Sequence, residues 1–513
     1  MKYDVIVVGA GTAGCVAAAR LAEDPARSVL LLEAGPDYPD LDSLPDDVKI
    51  GYTRDAEVQG APHNWALEAV MTPERGVIHV AQGKVIGGSG SINGQTYLRG
   101  LPEDYDLWAS WGSPEWSYVN VLPYFRRLET DEDIQDDFHG SQGPIPILRR
   151  LDVERPPIQQ ALYDAARSLG FPDDPDMNGP NTGGVGAVPM NNPEGIRMST
   201  AVTHLNPGRH RLNLTIRGNA YTRRVVFDGK RAVGVEVESG GEIFTVEANE
   251  VVLSAGGVRS PHLLLLSGVG PARQLGDVGV PLVHDLPGVG QNLRNHPNAA
   301  VSLKLRDGVR IEPDNLFQRT ILRYTSEGSE DPNDMNLMIS AQYLPISGEE
   351  IPEGTIRLAC SLQLPASYGE VRLSTADPDV QPYFEYRYLS DPWDRQRMRD
   401  GIRLCLRLVE TPAFRDIVTG RVLPTDADLA SDDALDAWLV RNLGTARHIS
   451  GTCKIGPSSD PMAVVDQYLR VHGLEGIRVA DASVMPQVPR ANTNATAAMI
   501  GERAGDWAGR CQA

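Results

Sequence analysis

Gly9, Gly11 and Gly14 stand in a G-x-G-x-x-G spacing, and Glu33 follows at the end of an apolar run. Residues of these types hold a dinucleotide. Glycines let backbone approach a pyrophosphate, and a carboxylate accepts hydrogen bonds from both hydroxyls of an adenosine ribose. The elements that must position them lie on either side. Val5-Ile6-Val7-Val8 predicts a strand, Val16 to Leu21 a helix, and Ser28 to Leu32 a second strand. Together they form a βαβ unit. The N-terminus of its helix offers free N–H groups and the positive end of a dipole to an anion.

Gly83 to Gln95, with Gly87-Gly88-Ser89-Gly90 and Asn93 inside it, is a second stretch small enough to let backbone approach a flat or phosphorylated ligand. A third, Ser254 to Pro271, predicts a strand, a glycine turn and a helix capped by Ser260-Pro261 and stopped by Gly268. Asn213 to Arg217, Ala232 to Glu238, Ile243 to Val246 and Val251 to Ser254 predict strands, with a hairpin turn at Phe227 to Lys230. Helices are expected over Pro156–Leu169 and Asp394–Val409, and further strands from Ala299 to Leu305 and within Met335 to Leu364. Gly35–Asp47, Pro172–Val188 and Ser326–Asn333 predict surface loops.

At 513 residues the chain exceeds what one core serves, so two or three domains are expected. A formal charge of −20 argues against nucleic acid and anionic membrane surfaces. No run of about eighteen apolar residues occurs, so no membrane span is expected. The first strand starts by Val5, leaving no room for a charged n-region and apolar h-region of a signal peptide, and the five cysteines (Cys15, Cys360, Cys405, Cys453, Cys511) lack metal-ligand spacing. A cytoplasmic protein with free thiols and no metal is the expectation.

These stretches resemble the glucose-methanol-choline (GMC) oxidoreductases, a family of FAD-dependent enzymes. Asp285 to Leu293, His448 to Cys453, Leu469 to Pro486 and Asn492 to Ala504 extend the likeness across nearly the whole chain. The C-terminal motif is most similar to the hydroxymethylfurfural/aryl-alcohol oxidase branch, and the catalytic pair to the choline oxidase type. The resemblance implies a mixed α/β fold: a Rossmann-like FAD-binding domain (1–155, 212–297, 446–513) and a discontinuous substrate domain (156–211, 298–445) of antiparallel sheet flanked by helices. It implies that Gly9, Gly11, Thr12, Gly14 and Glu33 hold the adenosine diphosphate half of FAD. Gly87, Gly88, Ser89 and Asn93 would approach the flavin and ribityl chain, Asp481 with Ala482 the ribityl or pyrophosphate region, and Asn494 the isoalloxazine ring. Ile92 stands where some members attach FAD through histidine, so non-covalent FAD is expected. FAD fills the one complete dinucleotide unit, leaving none for NAD(P).

By the same resemblance His448 and Asn492 are the catalytic pair. Alcohol oxidation needs a base for the O–H proton as hydride leaves for flavin N5, and imidazole titrates nearest neutrality. Asn492 would donate to the alkoxide-like oxygen. His296, beside Asn295, is expected to be a structural neighbour of the flavin domain, and His63, His139, His204, His210, His262 and His472 to be structural. Arg447 precedes the base where relatives carry an aromatic residue. It could pair a substrate carboxylate or phosphate, or turn away to a backbone carbonyl or a nearby Asp.

The expected activity is oxidation of a primary or secondary alcohol to the carbonyl with O2 as acceptor, by a monomer or homodimer. Alternatives are a dehydrogenase with another acceptor, a lyase of the hydroxynitrile type, and light-driven decarboxylation, for which Cys360 is off register. An aromatic content of 6% makes a choline-type aromatic cage less attractive.

Overall fold

The computed structural model describes residues 2–51, 55–309, 319–340 and 354–508; Cys511 and the middle of the Met335–Leu364 stretch lie outside them.

Val5 to Val8 are buried on both faces, as a β-branched run at the centre of a parallel sheet must be. The strand Lys2–Val8 runs parallel to Val29–Leu32 on one side and Glu242–Leu253 on the other. Leu214–Arg217 adds parallel to Val29–Leu32. Arg231–Ser239 and Ala220–Asp228 continue antiparallel from Glu242–Leu253, turning at Gly229, whose φ is +58°. Ile477–Val479 pairs with Val251–Leu253. The two short strands expected between Ile243 and Ser254 are therefore one strand, its first half in the hairpin and its second in the parallel layer.

The helix Thr12–Leu21 packs against Thr493–Trp507 through small residues. A Cβ on Gly501 would lie 2.4 Å from the Ala13 carbonyl, and one on Gly505 2.4 Å from Arg20 Cβ. The contacts advance together along both helices, and Thr12 Oγ1 donates to Asn494 Oδ1 at 2.7 Å at their first turns. The helices are therefore parallel and present both N-termini at one place.

The second sheet is antiparallel, in the order Val418–Leu423, Pro297–Leu305, Thr355–Leu362, Met335–Ser340, Thr320–Tyr324, Gly184–Ala187. Val301, Leu303, Leu358, Cys360, Leu337 and Leu322 face a core shared with the helices Pro157–Ser168, Pro392–Val409 and Asp432–Asn442. Gly184–Ala187 falls within the expected surface loop Pro172–Val188. It is instead a buried edge strand, held by pairing with Thr320–Arg323.

The helix after Ser254 begins at Gly256, so Pro261 lies inside it rather than at its first position. Proline has no N–H for the carbonyl four residues back. That carbonyl, of Gly257, accepts instead from Thr452 Oγ1 at 2.7 Å. The helix is thereby tied to the segment carrying His448. Among the described residues no helix is long and apolar enough to cross a membrane.

Candidate active site

Between the two sheets lies a cavity of about 500 Å³, lined by Glu33 and Tyr221 from the first sheet, Asn298 and Ala359 from the second, and His448 and Asn492 from the C-terminal segment. Its volume is that of a small-molecule site.

The glycine turn forms one wall. Gly9 has φ +95°, and a Cβ on Gly14 would sit 2.0 Å from the Gly9 carbonyl, so the third glycine serves the packing of helix on strand. Gly88 has φ +53°, and its Cβ would meet Gly11 Cα at 2.6 Å, so the two glycine loops touch. Gly9, Gly11, Thr12, Gly88, Ser89, Asn93, Asp481, Ala482 and Asn494 line the cavity. Gly14 and Gly87 lie behind the lining; Gly87 (φ +95°) shapes the turn and packs on Ser91.

Glu33 is buried and accepts from the Ala10 N–H at 3.0 Å and the Gly35 N–H at 2.9 Å. Burial pushes its carboxyl up to about 7, against the pull of the Gly35 and Ala10 N–H groups. A carboxylate offers about four lone-pair sites, so acceptors remain for two ribose hydroxyls. Asp481 accepts from the Gly256 N–H at 2.8 Å, Ser260 Oγ at 2.5 Å and the Ser483 N–H at 2.8 Å. It thus ties its own turn to the start of the helix Gly256–Leu266 beneath the cavity, and burial raises its pKa despite these donors. Abutting glycine loops, converging helix N-termini and a buried carboxylate fit a dinucleotide such as FAD. Ile92 is buried and offers no attachment atom.

Asn492 caps the helix Thr493–Trp507 by backbone alone, with no side-chain bond to the first turn. Its amide goes instead to His448, with Nδ2 3.1 Å from Nε2. With the amide so oriented, Nε2 is an acceptor and the proton of neutral His448 is on Nδ1. His448 Nδ1 lies 2.8 Å from His296 Nδ1, donates to it, and meets that ring edge-on. Asn295 Oδ1 accepts from the His448 N–H at 2.8 Å, and Asn295 Nδ2 donates to Thr445 Oγ1 at 2.8 Å. His296, expected only as a neighbour of the flavin domain, touches the base directly. The Asn295-His296 pair was visible in the sequence; the fold that brings it to His448 was not.

Burial, and then the charge of Arg447, lower the His448 pKa to about 3. Arg447 lines the cavity and is ion-paired with Glu57, which no motif singled out. Arg319 and Arg357 also line the cavity and were not foreseen.

Elsewhere, buried His139 meets Glu129, Asp131 and Asp176. Burial opposes its charge, yet hydrogen bonds to these carboxylates raise its pKa to about 11. Arg99 holds Glu129, and Arg149 holds Asp131 and Asp176, so the cluster is a neutral ion-pair network. Cys360 is turned into the core and does not line the cavity.

Residues 3–298 and 365–501 each match a family model described as GMC oxidoreductase. An oxygen-dependent choline dehydrogenase of Photobacterium profundum is 37% identical, over 98% of this chain and 92% of its own. A GMC-type oxidoreductase of Rhodococcus erythropolis is 36% identical, over 98% and 97%. Among solved structures, pyridoxine 4-oxidase from Mesorbium loti is similar with a TM-score of 0.90 and 29% identity, covering 98% of both chains.

Proposed function

The chain belongs to the GMC oxidoreductase family, FAD-dependent enzymes acting on CH–OH donors, and on that premise we propose that it oxidises a primary or secondary alcohol to the carbonyl with His448 as base and O2 as electron acceptor. The observation that carries this reading is the meeting of His448 Nε2 and Asn492 Nδ2, 3.1 Å apart, on the cavity that Glu33 also lines. Bound FAD supplies the hydride acceptor, its flavin N5.

This chain's residues manage the proton. A substrate hydroxyl entering between the two side chains donates to His448 Nε2 and accepts from Asn492 Nδ2. Their mutual contact is the bond it replaces. As the C–H bond breaks, Nε2 takes the hydroxyl proton, and Asn492 steadies charge on the oxygen without titrating. His296 Nδ1, accepting from Nδ1–H, keeps the imidazole in the tautomer whose Nε2 lone pair faces the cavity. The low pKa keeps that lone pair available through the acid range.

The domain limits 1–155, 212–297 and 446–513 against 156–211 and 298–445 are proposed with this reading. It is supported by cofactor-wall residues from the first sheet and substrate-wall residues from the second. The test is an alcohol panel in an anaerobic cuvette, followed by admission of air with peroxide detection. Bleaching of the flavin and stoichiometric peroxide are expected. Bleaching without peroxide would replace O2 by another acceptor, and no bleaching with any alcohol would overturn the reading.

A further inference from the structure

The cavity wall formed by the second sheet has a graded chemistry. The Gln363 backbone faces His296 and so marks the reacting end. Strand alternation from there puts Ser361, Ala359 and Arg357 on one face, away from the core that takes Cys360 and Leu358. Ala359 is in register with Ala300 on one side and Met338 on the other, and all three line the cavity. They make a shallow apolar floor with room for a flat or extended body. Beyond it stands Arg357, about 20 Å of strand from Gln363 at about 3.3 Å per residue, its stem long enough to reach back over the floor. Arg319, just ahead of Thr320–Tyr324 and one strand beyond Met335–Ser340, lines the same cavity.

We propose that the substrate is an alcohol carrying a carboxylate at the far end of an apolar body, with its hydroxyl at His448 and Asn492 and its carboxylate on Arg357 and Arg319. This deepens, and rests on, the alcohol-oxidising reading. Both arginines have other interactions in the structure. A guanidinium carries five N–H donors in a fork that matches a carboxylate, and the grip needs two of them. Arg447, next to the base and ion-paired with Glu57, is not assigned to this grip.

The test compares 4-(hydroxymethyl)cinnamic acid with its methyl ester, of the same reacting group and nearly the same shape. A charged hydrogen bond of about 1.5–3 kcal/mol corresponds to about 10- to 100-fold, so the acid should exceed the ester in kcat/KM by that factor. Arg357→Gln and Arg319→Gln should each lower kcat/KM for the acid far more than for the ester and so erase most of the preference. Equal or better use of the ester by the unmodified holoenzyme, or equal losses for acid and ester in both variants, would overturn the proposal. Binding of unreactive 4-methylcinnamate and its methyl ester, read from the flavin absorbance of the holoenzyme, separates this from failure of the alcohol reading. If no alcohol bleaches the flavin, acid binding that exceeds ester binding and is lost in Arg357→Gln still supports the carboxylate site. Equal binding of the two contradicts it.

Discussion

Glu33 and His448 are both titratable groups pushed toward neutrality by burial, and the consequences differ. Glu33 binds its proton near pH 7 when the cavity holds no ribose, because desolvation outweighs its two N–H partners. Ribose hydroxyls donate, and so favour the carboxylate. Binding of FAD to the apoprotein should therefore strengthen as pH rises to about 7 and level off above it, with proton release on the acid side. Glu33→Gln should weaken binding by about 10- to 100-fold and flatten that dependence. A titration of apoprotein with FAD from pH 5.5 to 8.5 measures both, and an unchanged slope in the variant would refute the assignment. For His448 the shift runs the other way, from 6.5 down to about 3. The unfolded chain takes up a proton below pH 6.5 that the folded site refuses, so this histidine costs stability as pH falls below 6.5 and nothing above it. Its base form persists to lower pH, so the acid limb of kcat/KM should lie below the ordinary histidine value.

At the scale of elements, the segment after His448 is fastened to the helix Gly256–Leu266 by the Thr452 hydroxyl on the Gly257 carbonyl, the one that Pro261 leaves without a donor. Thr452→Val keeps the shape and removes the donor, leaving a buried carbonyl unsatisfied at about 1–3 kcal/mol. Thermal unfolding should come a few degrees earlier with FAD still bound. An unchanged midpoint would mean that a water replaces the hydroxyl. The same helix shows what the sequence could not disclose: Ser-Pro has the form of a helix start, and only the side-chain donor nearly two hundred residues away lets proline stand inside. Gly184–Ala187 was hidden likewise, since four small residues form a strand only when Thr320–Arg323 supplies the pairing. By contrast the first βαβ unit was legible in full, because Val5 to Glu33 is contiguous and every one of its signals is local.

Across the whole molecule, the cofactor wall and the base come from distant parts of the chain. The glycines and Glu33 belong to the first sheet and its turns, whereas His448 is positioned by Asn295, His296 and Asn492. His448 and Asn492 were identifiable from their motifs. His296 meets His448 across 152 residues, and Glu57 meets Arg447 across 390, separations at which spacing carries no signal. Arg357 became legible only once register showed which side of its strand faces the cavity. Because grip and base are separate, they should be separable by mutation. His448→Ala is expected to retain FAD at full occupancy yet to lose anaerobic flavin reduction by its best alcohol by about 10²- to 10⁴-fold, the usual contribution of a positioned base. A His448→Ala enzyme with FAD bound and near-normal flavin reduction would contradict the account at its centre.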